Sequence, residues 1–335
     1  MNDNGKRRLL RYVLSLVGFV IFICLVLKIG LGVIIQNFSQ VGAWFLVVFL
    51  LGAVWLFLQA LSWSLIQRTF QPVALSALFR AKLIAEGLNT LLPAANMGGE
   101  AARAVIIKKY VPLQQGIPGV VFDKTIEYTA SLFFLAAGLL ISVQRLKVPQ
   151  AVRTPSTIVL GAIAAGIITM VVLQFQGIYP VLKNLAPVIP GGRKWFMERE
   201  DILRELDGNM RSLFGQSKLK LVAAWCLHLA GRILGAVEVY VILRALEVPT
   251  NWAKVLFISV FVVISNTTFF LMPGQWGVAE GAHLLVARMV RYSSAVGLTL
   301  GVVRRIRKVL FAGIAVILIL AGKERLNREN SENGG

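Results

Sequence analysis

The residues in this chain that could do chemistry are the charged side chains lying inside long apolar runs: Lys82, Glu86, Glu100, Arg103, Asp123, Lys124, Glu127, Arg232, Glu238, Glu280, Arg304, Arg305, Arg307 and Lys308. An ionised group in a bilayer is costly, by about 2.5–3.5 kcal/mol on insertion scales, so each of these is expected to be paired or functional. Their spacing puts several on shared helix faces. Lys82 and Glu86 are four residues apart, as are Asp123 and Glu127, while Glu100 and Arg103 are three apart. Arg304, Arg307 and Lys308 share a third face. Two chemistries fit. One is a salt-bridge network that holds helices together. The other is a polar path for a charged headgroup, with arginines gripping a phosphate through two parallel hydrogen bonds. For that second task Arg304 and Arg305 are favoured over Arg307 and Lys308, and Arg232 and Glu238 rank lower. His228 reads as a satisfied core histidine rather than a proton relay.

Other chemistries find little support. The chain has no GxSxG, Walker or DxD pattern, and the Asp123–Glu127 pair beside Lys124 suggests no reaction. An intramembrane enzyme is kept as an alternative. Neither His228 nor His283 belongs to a metal-binding motif, and Cys24 and Cys226 both sit in apolar runs. Neither a metal, a cofactor nor a disulfide framework is expected.

The elements that must position these charges follow from composition. The chain has 335 residues, of which 57% are hydrophobic and 15% charged, and its mean hydropathy is +0.73. Soluble domains carry about a quarter charged residues, so an ordinary soluble enzyme and a disordered chain are both excluded. The net charge is +19. The basic residues stand mostly between apolar runs, which indicates basic cytoplasmic loops and contact with anionic lipid rather than nucleic acid. Runs of the length a spanning helix requires cover about 10–35, 42–66, 116–142, 157–176, 219–246 and 294–321. The first follows a basic start, Lys6-Arg7-Arg8, and is too long for the core of a cleaved leader, so it reads as an anchor that stays in place.

Two further apolar regions, about 75–110 and 252–292, are broken in the middle by Pro93, Gly98 and Gly99 and by Pro273, Gly274 and Gly277. Proline removes a helical donor and glycine permits a sharp turn, so each region is expected to be two short helices joined at a bend. The breaks resemble one another. Asn89 precedes the first and Asn266 the second, and Glu100 and Glu280 each stand seven residues after the proline. Charged residues recur at matching distances beyond each break, so a weak internal repeat is expected, over about 42–142 and 219–321, within a single transmembrane domain. With Lys6, Arg7, Arg8 and Arg11 placed in the cytoplasm, and each broken region treated as a re-entrant hairpin, both termini and the basic segment 177–218 fall inside. The two repeats then have opposite orientations, the architecture of transporters whose broken helices mark the substrate site. Acidic groups of one half would meet basic groups of the other in the core. The alternative is that both broken regions are kinked full spans. Within 177–218, Trp195, Ile202, Leu206, Met210 and Leu213 recur at helical spacing among charges. This stripe would lie on the membrane surface or pack beneath the bundle.

At these residues the sequence resembles the flippase-like transmembrane family that includes the membrane domain of lysylphosphatidylglycerol synthases. The resemblance is carried by Asn89, Pro93, Gly98-Gly99-Glu100 and Arg103, then Asp123 and Glu127, then Pro273-Gly274, Gly277 and Glu280, and a last span bearing Arg304 and Arg305. It covers about residues 10–322. Gln275 and Trp276 stand where a second glycine is common in the family. The resemblance implies an all-α helical bundle that handles lipid, with these residues around the substrate. The chain ends soon after the last span, and is therefore expected to be a stand-alone relative lacking the synthase domain. The expected function is translocation of a lipid or lipid-linked molecule across the cytoplasmic membrane. The expected partners are a phospholipid or lipid-linked substrate, the bilayer and a lipid-pathway enzyme. The alternatives are an accessory protein of a lipid or hopanoid pathway that docks an enzyme on 177–218, and an intramembrane lipid-modifying enzyme.

Overall fold

The computed structural model describes residues 31–91, 98–146, 150–188, 192–215, 218–268 and 278–332. Most of the expected first span lies outside these residues. So do Pro93, Pro273, Gly274 and Gly277 at the two breaks. The described chain is helical, with no strand among the described residues.

Its elements, apart from a second 3-10 turn at Ala186–Val188, are α1 (Leu31–Val41), α2 (Trp44–Gln67), α3 (Leu75–Leu91), α4 (Gly98–Ile106), a 3-10 turn (Ile107–Lys109), α5 (Leu113–Arg145) and α6 (Gln150–Gln176). They continue with α7 (Ile178–Leu185), α8 (Gly192–Met197), α9 (Glu200–Phe214), α10 (Lys218–Ala245), α11 (Trp252–Thr268), α12 (Val278–Met289) and α13 (Ser294–Glu332). Within them, Trp44–Gln67, Leu113–Ser142 and Lys218–Ala245 are long and apolar enough to cross a bilayer. At 1.5 Å per residue, the 24 residues of α2 reach about 36 Å, beyond the ~30 Å hydrocarbon layer. The last helix runs further than expected, to Glu332 rather than 321.

The outward faces explain why the protein requires lipid. Leu46 of α2, Leu140 of α5, Ile233 of α10 and Ile317 of α13 are all exposed, forming a surface that water would not tolerate over a whole bundle. Inside, one core joins α10 (Val239, Ile242, Leu243) to α11 (Val255, Ile258), α12 (Val286), α13 (Leu300, Val303) and α5 (Phe134, Leu135). The bundle also draws on small residues to bring backbones together, as membrane helices do in the absence of a strong hydrophobic drive. A Cβ at Gly87 of α3 would lie 2.3 Å from the Ala315 Cβ of α13, so only glycine permits that approach.

The segments flanking each break pack on each other, α3 with α4 and α11 with α12. Part of the amphipathic stripe of 177–218 packs against the bundle. In α9, Met210 and Leu213 are buried against Phe122 and Ile126 of α5, beneath the bundle, while Ile202 about two turns earlier is exposed. A local defect fixes that docking. Pro118 lies inside α5 and has no N–H to give the Gln114 carbonyl. Asn209 of α9 donates to that carbonyl instead, at 2.8 Å.

Candidate functional site

The buried charges assemble into two clusters. The first is built by α2, α3, α4, α5 and α10, with Asp123 at its centre. Asp123 is fully buried. Its Oδ2 accepts from Arg103 Nη2 at 2.6 Å and lies 3.6 Å from Lys82 Nζ. Its Oδ1 accepts from Ser62 at 3.1 Å and from His228 Nε2 at 3.0 Å. One carboxylate therefore joins five helices. Arg103 is also fully buried; its second terminal nitrogen donates to Glu100 at 2.6 Å, and the guanidinium lies 4.1 Å above the Trp63 ring. Around this centre Lys124 bridges Glu127 (2.9 Å) and Glu100 (3.4 Å). Arg232 reaches Glu127 at 3.0 Å and Ser131 at 2.7 Å. The sequence places Lys82 within reach of Glu86, but Lys82 turns instead to Gln59 Oε1 at 3.2 Å and to Asp123.

The first break is closed by a cap from another helix. Asn89 Oδ1 accepts the Gly99 N–H at 2.8 Å, satisfying a donor in the first turn of α4. A Cβ at Gly99 would lie 2.3 Å from the Ala85 carbonyl, so the contact requires glycine. Gly98 begins the same helix. Asn266 lies in α11 just before the second break, and its side-chain contacts fall outside the described residues.

The second cluster is built by α10, α12 and α13. Arg305 pairs with Glu280. Arg307 and Arg304 both approach a single oxygen of Glu238, at 3.2 and 3.4 Å. Arg307 packs against Gly52 of α2, where a Cβ would lie 2.8 Å away. His283 is buried, and its Nδ1–H donates to the Ala279 carbonyl at 2.6 Å. Glu86 of α3 is the carboxylate acting on Lys308.

The acidic face of α5 and the basic face of α13 are thus not each other's partners among the described contacts. Asp123 and Glu127 turn to Arg103 and Lys82 of their own half and to Arg232 of α10, while Arg304 and Arg307 turn to Glu238 of α10. Arg232 and Glu238, ranked low from sequence, both belong to the clusters: Arg232 flanks the first through Glu127, and Glu238 receives Arg304 and Arg307 in the second. Gln59, Ser62 and Trp63 of α2 were not singled out. Their signal was visible, as polar groups one helical turn apart in an otherwise apolar span.

At the end of the bundle, outside the spans, a smaller network joins α7 to α9. Tyr179 O–H donates to Glu200 Oε1 at 2.7 Å, and Arg204 donates to both. These hydrogen bonds hold the Glu200 carboxyl below its usual value, Tyr179's donation being the larger effect. The same bond raises Tyr179 above its usual value.

Long apolar helices, a lipid-facing surface and charge clusters sequestered between the helices define a polytopic helical membrane protein. The model of the lysylphosphatidylglycerol synthase transmembrane region matches residues 9–315, so this chain belongs to that family. It is also similar to a UPF0104 membrane protein of Methanothermobacter thermautotrophicus, 25% identical over 313 residues, covering 88% of this chain and 90% of the relative. No solved structure matches the chain.

Proposed function

We propose that the protein translocates a lipid or lipid-linked molecule across the cytoplasmic membrane, without itself carrying out a chemical transformation. One observation carries this reading. Two clusters of buried charge are assembled beside two broken apolar regions, in a bundle whose outer surface faces lipid. Charge in that position is costly even when paired, and beside broken helices it marks the path of a polar group. Glu100 and Lys124 at the first cluster keep about a quarter of their side-chain surface accessible, and Arg304 a fifth. The headgroup would occupy the space between these groups while the acyl or polyprenyl tails remain in the bilayer. In this reading Asn89, Pro93, Gly98 and Gly99 shape one re-entrant turn, and Asn266, Pro273, Gly274 and Gly277 the other. Glu100, Arg103, Asp123, Glu127, Glu280, Arg304 and Arg305 line the path. Both termini and the α7–α9 segment face the cytoplasm.

The test is leaflet exchange in proteoliposomes, with labelled anionic, aminoacylated and polyprenyl-phosphate lipids. The wild type is expected to move one of these classes. Glu100→Gln, which removes a charge that is partly exposed, should lower the rate at least about tenfold while the protein stays folded. Undiminished exchange by folded Glu100→Gln and Arg304→Ala variants would remove these residues from the path. Conversion of the lipid to a new product, seen by mass spectrometry, would replace transport by enzymatic modification.

A further inference from the structure

A polar atom buried between helices is ordinarily hydrogen-bonded, because one left bare forfeits the bonds it made to water. Several in this bundle have no partner among the described residues. In the second cluster these are His283 Nε2, one Glu238 oxygen and Arg307 Nε. In the first half they form a line. Trp63 Nε1, Arg103 Nε and both polar atoms of the Gln67 amide are unpartnered, and all three side chains are fully buried. Thr69 Oγ1, just beyond the end of α2, is a further such atom.

The line is built into α2. Gln59, Trp63 and Gln67 recur every four residues, so they share one stripe about 12 Å long. Its inner end lies at the first cluster, where Gln59 accepts from Lys82 at 3.2 Å and the Arg103 guanidinium sits 4.1 Å from the centre of the Trp63 ring. Its outer end is the C-terminus of α2, where Gln67 is the last helical residue and Arg68 is exposed. On the facing helix, α5, a Cβ at Gly119 would lie 2.5 Å from Gln67 Oε1, so a larger residue there would displace the amide. Five residues nearer the start of α5, about 7.5 Å away, Gln114 belongs to an open hollow of about 500 Å³ lined by residues 108–114.

The chemistry of these atoms selects their ligand. Trp63 Nε1 and Arg103 Nε only donate, whereas the Gln67 amide both donates and accepts. Water accepts twice and donates twice. One molecule therefore takes the hydrogens of Trp63 and Arg103 and returns a bond to Gln67 Oε1. The Gln67 Nε2 hydrogens and the Thr69 hydroxyl offer partners to the next molecules outward.

We propose that the Gln59–Trp63–Gln67 stripe lines a water-filled passage from the end of α2 to the free edge of Arg103, with the hollow at 108–114 as its mouth. The passage hydrates the first charge cluster from one side of the bundle. It stops at Arg103, because both oxygens of Asp123 are already engaged. Its existence does not depend on what the protein carries.

X-ray radiolysis of the purified full-length protein in deoxygenated detergent solution tests this, because water ionised in place oxidises the side chains it touches. Corrected for intrinsic reactivity, Trp63 is expected to be oxidised much faster than Phe257, which is also buried but lies in the apolar core. Mixing with oxygen-18 water just before the pulse should put the heavy isotope into the Trp63 product, since the passage is open to solvent. In Gln67→Leu, which keeps the bulk and removes the hydrogen-bonding groups, Trp63 oxidation should fall to the Phe257 level. Oxidation of the exposed Tyr110 should stay unchanged in that variant. Three results overturn the passage: wild-type Trp63 oxidised no faster than Phe257, a Trp63 product lacking the solvent's isotope, or undiminished Trp63 oxidation in monodisperse Gln67→Leu. The first two need no variant, so they decide the matter even if Gln67→Leu does not fold. Leaflet exchange bears on none of the three, so translocation and the passage fail separately.

Discussion

Asp123 shows how a single residue can organise a membrane bundle. Its two oxygens hold groups from α2, α3, α4 and α10. In lipid no water can take over those bonds, so removing the carboxylate strands Arg103 and Lys82 as unpaired buried cations. Asp123→Asn is expected to cost about 3–5 kcal/mol, the usual penalty for breaking a buried pair, read as a lower midpoint in denaturant-induced unfolding in detergent. Arg199→Gln, whose ion pair with Glu198 is largely exposed, should shift that midpoint by less than about 1 kcal/mol. Equal effects from the two variants would mean that the first cluster adds nothing to stability. The roles of the two histidines likewise depend on individual bonds. His228 commits Nε2 to Asp123, whereas His283 commits Nδ1 to a backbone carbonyl and leaves Nε2 open.

At the scale of elements, the informative contact is between α7 and α9. Gly177, with φ +94, turns the chain out of α6, and the Tyr179 backbone N–H is capped by Asp207 of α9 at 2.9 Å. The Tyr179–Glu200–Arg204 network then fastens the two helices. Glu200's carboxyl is depressed in the folded state, so its contribution is present above the ordinary carboxylate range and is lost as pH falls through the lowered value. Tyr179 is raised, so its contribution is present at neutral pH and lost only in alkali. Hydrogen-exchange protection of α9 amides, corrected for intrinsic rate, should therefore hold between these limits and fall in acid below the ordinary glutamate range. In Tyr179→Phe the acid midpoint should move up toward that range, because the main cause of the depression is gone. A midpoint that does not move would show that the network does not fasten α9.

For the whole molecule, α5 is the measuring rod. Asn209 of α9 contacts the Gln114 carbonyl at one end, and Ser142 contacts the Ala253 carbonyl, at the start of α11, at the other. Gln114 and Asn251 accordingly lie toward opposite ends of a helix long enough to span. In a background lacking Cys24 and Cys226, cysteine at position 114 should be labelled from the cytoplasm, and cysteine at position 251 from the outside, by a reagent that does not cross membranes. Labelling of both from one side would overturn the proposed topology and, with it, the opposed orientation of the two halves.

Several properties were legible in the sequence because they follow from local composition. Long apolar runs can cross lipid only as helices, since every backbone donor must be satisfied within the segment, and this made α2, α5 and α10 readable in advance. Pro and Gly marked the breaks by their backbone restrictions, and the charges stood out by their cost in lipid. Their partners were not legible. A side chain's neighbours across a bundle depend on helix rotation and depth, which periodicity fixes only to a face. Lys82 therefore turned from Glu86 to Asp123 on another helix, and the α13 arginines found Glu238 rather than the acidic face of α5. The open valences at His283 and Glu238, and the docking of α9 through the carbonyl that Pro118 leaves free, likewise belong to the tertiary structure alone. They arise where groups distant in sequence are packed within hydrogen-bonding reach, or just outside it.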